Sequence, residues 1–219
     1  MVTEEAFHRL QHRGACVIGG FLGGYALLCA AGTLGNAQTM NLLELLLALL
    51  GGDLTQVLLR LAAFALYLAA AMLFVWVRDA TPLDTRRVSL LVTALAAAVL
   101  TWMPERTPAV VRLYPIFFSM SFQWNAFPGA YGYQSASIFS TNNTRQVGLS
   151  LAEYLMGGDR AKLRKARFFL GSLLCFHAGV ALAWCAVRWL GRFAALGVWP
   201  WLLLTALALQ KERQEVTQP

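Results

Sequence analysis

NAQTMNLLELLLALLGGD, residues 36–53, returns 106 residues later as NNTRQVGLSLAEYLMGGD, residues 142–159. The shift sets Asn36 on Asn142, Leu43 on Leu149, Leu45 on Leu151 and Gly51-Gly52-Asp53 on Gly157-Gly158-Asp159, without a gap. Upstream it also sets Phe21 on Phe127, Gly23 on Gly129 and Tyr25 on Tyr131. Glycines, amides and tyrosines are informative positions, and so many agreements at one offset argue for internal duplication. Each unit reads as a span carrying Phe-x-Gly-x-Tyr, a polar break with Asn in it, and a short helix ending in Gly-Gly-Asp. Two more spans complete it.

Outward from the repeat, the chain is built for lipid. Of its 219 residues 58% are apolar and 13% charged, with a mean hydropathy of +0.55. A soluble domain carries about 25% charged residues, so this stock cannot cover a water-facing surface. The uncharged stretches Ala15–Thr33, Phe168–Val187 and Phe193–Gln210 hold 19, 20 and 18 residues. Each is long enough to span a hydrocarbon core of about 30 Å as a helix. Leu54–Val77 carries only Arg60 as a charge.

The expected fold is an all-α integral membrane protein. Six transmembrane helices are expected near 15–33, 54–77, 87–103, 110–127, 167–188 and 193–210. Two short broken or re-entrant helices, 36–50 and 142–156, complete two inverted three-span repeats. The divisions are an N-terminal arm (1–14), repeat 1 (15–105), repeat 2 (106–210) and a tail (211–219). The cations near the N-terminus resemble a signal peptide, but the first apolar run holds residues reused later, which argues against cleavage.

Charge distribution supports this layout. If the short helices do not cross, twelve cations fall on one side and four on the other; full crossing makes the split eleven to five. The richer side is expected to be cytoplasmic, with both termini there. An odd number of spans per unit turns the two units upside down relative to each other, as in many transporters. The net charge of +7 sits at the ends of apolar runs, so no nucleic-acid partner is expected. Arg160, Lys162, Arg164, Lys165 and Arg167 read as an anchor to anionic lipid. Cys16, Cys29, Cys175 and Cys185 lie in apolar segments and read as free thiols.

Candidate binding residues cluster in the breaks. Asn36, Gln38, Thr39 and Asn41 precede the first short helix; Thr141, Asn142, Asn143, Thr144 and Arg145 open the second. Irregular backbone at membrane depth survives only inside protein or beside a wet cavity. Such amides and hydroxyls either satisfy the break internally or bind a small polar solute. Arg145 stands where a helix dipole is already positive, so an anionic partner, for instance Glu44, would explain it. Gln123 and Asn125 precede Phe127-Pro128-Gly129, and Trp124 and Gln134 flank the same region.

Secondary candidates are Tyr25, Tyr131, Asp53, Asp159 and His177. Core packing is the commoner role for the tyrosines, and helix capping accounts for the two aspartates. His177 is read first as a hydrogen-bonded histidine and second as a proton relay. His8 and His12 have helical i, i+4 spacing, a weak metal signal. No GxSxG, HExxH or Walker motif occurs, and no paired acids lie in the spans, so neither an enzyme nor a cofactor or metal is expected.

Gly20-Phe21-Leu22-Gly23-Gly24-Tyr25 with Asn36 to Leu42, and Phe122 to Phe127 with Phe139 to Gln146, resemble the two repeats of the YoaK family of bacterial multi-pass membrane proteins. The resemblance runs from about residue 15 to 210. It departs at Met40 and at Arg145-Gln146, where the family favours Thr-Gly-Asn. It implies a location in the bacterial plasma (inner) membrane and names no activity. The functional expectation is a small-solute transporter or channel, for a polar or anionic metabolite, with the site between the repeats. The alternative is a non-transporting scaffold or assembly subunit, and homo-oligomerisation is left open.

Overall fold

A computed structural model describes residues 4–30, 32, 34–36 and 38–216. Parts of the expected arm (1–3), first span (31 and 33), first break (37) and tail (217–219) lie outside the described residues. The elements are α1 (Glu4–Cys29), α2 (Gln38–Leu50), α3 (Leu54–Ala80), α4 (Thr85–Trp102), α5 (Ala109–Arg112), α6 (Tyr114–Ala126), β1 (Gly129–Ala130), β2 (Tyr133–Gln134), α7 (Thr141–Gly157), α8 (Arg160–Leu190), a 3-10 segment (Gly191–Val198) and α9 (Trp199–Val216).

Among the described residues, three helical runs are long and apolar enough to cross a membrane: Leu54–Ala80, Thr85–Trp102 and Arg160–Glu215. The surface agrees. Leu47, Met72 and Leu203 are 66%, 72% and 65% exposed, whereas Gln11, Asn36, Thr93 and Gln123 are buried. That is the reverse of a water-soluble fold, where exposed leucines are incidental and buried amides rare. Leucine-rich helix faces on the outside, with amides and hydroxyls buried among aromatic, aliphatic and small residues inside, point to a membrane protein.

The boundaries follow local chemistry. Asp53, Asp84 and Asp159 cap α3, α4 and α8 by accepting from the backbone amides of Gln56, Arg86 and Ala161. Gly52 (φ +74°) and Gly158 (φ +69°) adopt the left-handed conformation that ends α2 and α7. The capping reading of the Gly-Gly-Asp motifs therefore holds at both copies.

Three expected spans differ. The first helix begins at Glu4 rather than near residue 15, because Phe7, Gln11 and His12 are buried against the rest of the fold. The fourth, expected over 110–127, is divided into α5 and α6 and ends at Ala126, so the second Phe-x-Gly-x-Tyr, Phe127 to Tyr131, leaves the helix instead of lying in a span. The sixth, expected over 193–210, opens as the 3-10 segment and is α-helix from Trp199 to Val216.

Close contacts fix how the helices run. Arg13 meets Gly171, Gly20 meets Phe176 and Gly24 meets Ala183, so α1 and α8 run parallel. Tyr114 bonds the Leu59 carbonyl and Ser121 the Tyr67 carbonyl, so α3 and α6 are also parallel. Gly14 touches Thr205 and Gln11 bonds Glu212, which sets α9 antiparallel to α1. His12 faces the Phe127 carbonyl while Ala15 faces Gln123, so α6 opposes α1. The short helices α2 and α7 pack on α3 and α8 respectively.

Candidate functional site

The break between α6 and α7 is where the backbone leaves helix for longest among the described residues. Pro128 follows the helix end, and Ser135 N–H donates to its carbonyl at 2.8 Å. Between them lies a two-residue hairpin, with Gly129 paired to Gln134 and Ala130 to Tyr133. Its corner residues Tyr131 and Gly132 have φ of +57° and +71°, the left-handed pair such a turn requires. At Gly129 a Cβ would stand 1.9 Å from the Tyr133 carbonyl oxygen, so no other residue fits.

From Ser135 to Ile138 the chain is buried, and Asn143 holds it. Its Nδ2 donates to the Ala136 carbonyl at 2.7 Å, and its Oδ1 accepts from Ser135 Oγ and Ala136 N–H. Asn143 thus satisfies the break internally.

Beside this staple lies a cavity of about 400 Å³ lined by Trp124, Asn125, Pro128, Gln134, Ser135, Ala136, Phe139 and Asn142. Three amides line it. Asn125 Nδ2 is committed to the Ser121 carbonyl at 2.9 Å, leaving its Oδ1 available. Trp124 and Phe139 meet edge to face at 5.0 Å and give an aromatic wall. A lining about half polar and half apolar suits an uncharged polar ligand of metabolite size.

The first break reaches the second. Asn36 Nδ2 donates to the Gly19 carbonyl at 2.8 Å and to the Ile138 carbonyl at 2.9 Å. Gln123 Nε2 donates to the Ala15 carbonyl at 3.0 Å and to Ser137 Oγ at 3.4 Å. The oxygens Asn36 Oδ1 and Gln123 Oε1 are buried and have no donor among the described residues. A polar seam therefore runs between the breaks, with acceptors to spare.

Other candidates lie elsewhere. Asn41 bonds Gln38 Oε1 and the Arg60 carbonyl on the α2–α3 hairpin, and Thr39 is exposed there. Glu44 pairs with Arg60, not with Arg145, because α2 folds directly onto α3. Arg145 is exposed on α7 without a partner among the described residues, and Thr141 is exposed beside it. Thr144 Oγ1 returns to the Ser140 carbonyl. Tyr25 packs against the core. His177 is exposed, its Nδ1 2.8 Å from the Leu173 carbonyl oxygen. The four cysteines are free. Sequence reasoning placed Asn125 and Asn142 in the candidate set, but left out Ser135, Ser137 and Phe139. Their signal was the same interruption after Pro128, read only at its amides.

Fold and site together define a helical membrane protein with a polar interior at two interrupted segments. Residues 13–209 match the family model described as a protein of unknown function, DUF1275. The chain belongs to this family, which corresponds to the YoaK-like resemblance of the two breaks. No curated protein and no solved structure matches it.

Proposed function

We propose that this protein is a small-solute transporter or channel of the bacterial plasma membrane, made of six crossings in two inverted three-span units. The observation that carries this reading is the hydrogen bond from Asn36 in the first break to Ile138 in the second. Two irregular segments meeting within a helical membrane protein need a common reason, and a polar solute path supplies one.

The helix directions support the inverted arrangement. The 106-residue shift carries α1 onto α6 and α3 onto α8, and α1 opposes α6. The same shift exchanges the parallel pair α1–α8 with the parallel pair α6–α3. Because α3 runs parallel to α6 and against α1, it starts at the end where α1 finishes. The segment between them then enters and leaves by one side, which favours re-entrant short helices. Both termini would be cytoplasmic, on the side with twelve cations. Exposed Trp102, Trp189 and Trp199 at the opposite end suit an interfacial belt.

The solute would enter the cavity of Trp124, Asn125, Gln134 and Asn142. The test is a thermal-shift panel of amino acids, sugars, polyols and carboxylates on purified protein, followed by counterflow of any hit in proteoliposomes. A ligand of the native state raises the melting temperature. Asn142→Ala and Asn125→Ala should abolish both the shift and the counterflow while the unliganded melting temperature holds. A hit whose shift survives both substitutions would end this assignment of the site. Isolation only as a stable complex with another chain, with no hit, would favour the scaffold reading.

A further inference from the structure

A second cavity, of about 380 Å³, opens where α1 and α8 begin, and its lining is Arg9, Arg13, Tyr131, Tyr133, Arg164, Arg167 and Phe168. Four cations elsewhere have carboxylate partners: Arg60 with Glu44, Arg78 with Asp79, Arg86 with Glu212, Lys162 with Glu153. None of the four arginines here has a carboxylate partner among the described residues. Arg9 lies over the Tyr131 ring at 5.7 Å, and Arg13 Nε is buried with no acceptor. Four like charges around one space repel, and an anion between them removes that cost.

The surroundings are shaped rather than incidental. At Gly171 a Cβ would sit 2.5 Å from Arg13 Nη2, so the glycine makes room for the guanidinium. Phe168 stacks near His12 at 5.8 Å and meets Tyr131 and Tyr133 at 6.3 and 5.5 Å, forming an aromatic floor. Tyr131 holds a left-handed backbone that bulky residues avoid, and its N–H is held by the Glu5 carboxylate. Such conformations persist where surrounding structure enforces them, often beside ligands.

We propose that this cavity binds a phosphate ester, its oxygens on the guanidiniums of Arg13, Arg164 and Arg167 and its organic part against Tyr131, Tyr133 and Phe168. Guanidinium forks match phosphate geometry better than ammonium groups do. The volume exceeds what a bare phosphate fills and admits a small organic group. The phosphate belongs either to a soluble metabolite or to an anionic lipid headgroup. This site is separate from the cavity at Asn142 and stands whether or not the protein transports a solute.

Two arms distinguish the sources. Protein in phosphatidylcholine nanodiscs is titrated with glycerol 3-phosphate by calorimetry. Protein in nanodiscs containing phosphatidylglycerol is examined by native mass spectrometry for retained lipid. One arm should show saturable, one-to-one binding. Arg167→Gln and Arg164→Gln, at exposed positions that fold without them, should weaken it about tenfold or more. Arg13→Lys and Gly171→Ala should do the same, and Arg188→Gln at the other end of α8 should leave it unchanged. Binding in neither arm overturns the proposal. So does equal weakening by Arg188→Gln, which would mean only general charge attraction.

Discussion

Asn36 Nδ2 stands 2.9 Å from the carbonyl oxygen of Ile138, 102 residues further along the chain. The same amide reaches the Gly19 carbonyl of α1, so one side chain joins a helix, the first break and the second. Remove it and the buried Ile138 carbonyl loses this donor, while the Gly19 carbonyl keeps only its helical one. Asn36→Ala should therefore cost about 1–3 kcal/mol of stability. Thermal unfolding in detergent measures this, with the exposed Thr39→Ala as a control expected within about 0.5 kcal/mol of the parent. Equal melting temperatures for the two variants would show that the bond contributes nothing.

The contact between α1 and α8 depends on the absence of side chains. A Cβ on Gly20 would lie 1.8 Å from the Phe176 carbonyl oxygen, and one on Gly179 would lie 2.1 Å from that of Val17. Lipid offers no hydrophobic drive for helix association, so close backbone approach does much of the holding. Gly20→Ala and Gly179→Ala should each destabilise by about 1–3 kcal/mol or more. Gly148 on α7 faces open space, and Gly148→Ala should raise stability by about 0.5–1 kcal/mol through helix propensity. The opposite signs are read in one melting experiment.

Glu212 ties the end of α9 to the start of α1 and α4. Its carboxylate receives Arg86 Nη1 and Gln11 Nε2 at 2.9 Å each, and His8 Nε2 lies 2.9 Å from its other oxygen. The side chain is only 9% exposed, so these bonds are poorly replaced by water. Glu212→Ala should cost about 1.5–3 kcal/mol, as for hydrogen bonds to a charged group. In a cycle with Arg86→Ala the two losses should fall short of adding, since each removes the same interaction. Strict additivity would separate the pair energetically.

His12 precedes the apolar run that starts at Ala15, yet it is buried. Burial pushes it down to about 4; the hydrogen bond with the Phe127 carbonyl pulls partly back, and Arg13 adds to the lowering. An ordinary histidine titrates near pH 6.5, so the unfolded chain takes up this proton more readily than the fold. The stability present above about pH 6.5 is then lost as pH falls toward 4. The wild-type melting temperature should drop over that window, and His12→Phe, which keeps a ring beside Phe168, should drop less. Parallel curves for the two proteins would exclude His12 as the source.

Much of the architecture was legible in residue order because lipid imposes simple rules. Uncharged runs of membrane length marked Leu54–Ala80 and the stretch from α8 to α9, and the Gly-Gly-Asp pairs marked real helix ends with capping aspartates. The first, fourth and sixth of the expected helices were read less well. A polar arm can extend α1 when its Gln11 and His12 find buried partners, and Pro128 can stop α6 early when a hairpin takes over its hydrogen bonds. Neither outcome follows from local hydropathy.

The candidate site divides in the same way. Amides crowded into the two interruptions announced polar interior groups, and the chain alone determined that such groups exist among apolar helices. Which of them are occupied was decided only by packing. Asn36 and Asn143 spend their hydrogen bonds on nearby backbone, Glu44 closes on Arg60, and Asn125 and Asn142 are left lining a cavity. The arginines of α1 and α8 were visible as charge at two distant places in the chain, but their convergence on one space came from two parallel helices packed through glycine. The reason is physical: hydrogen-bond partners and cavities are set by neighbours in space, whereas span length and caps are set by neighbours in sequence.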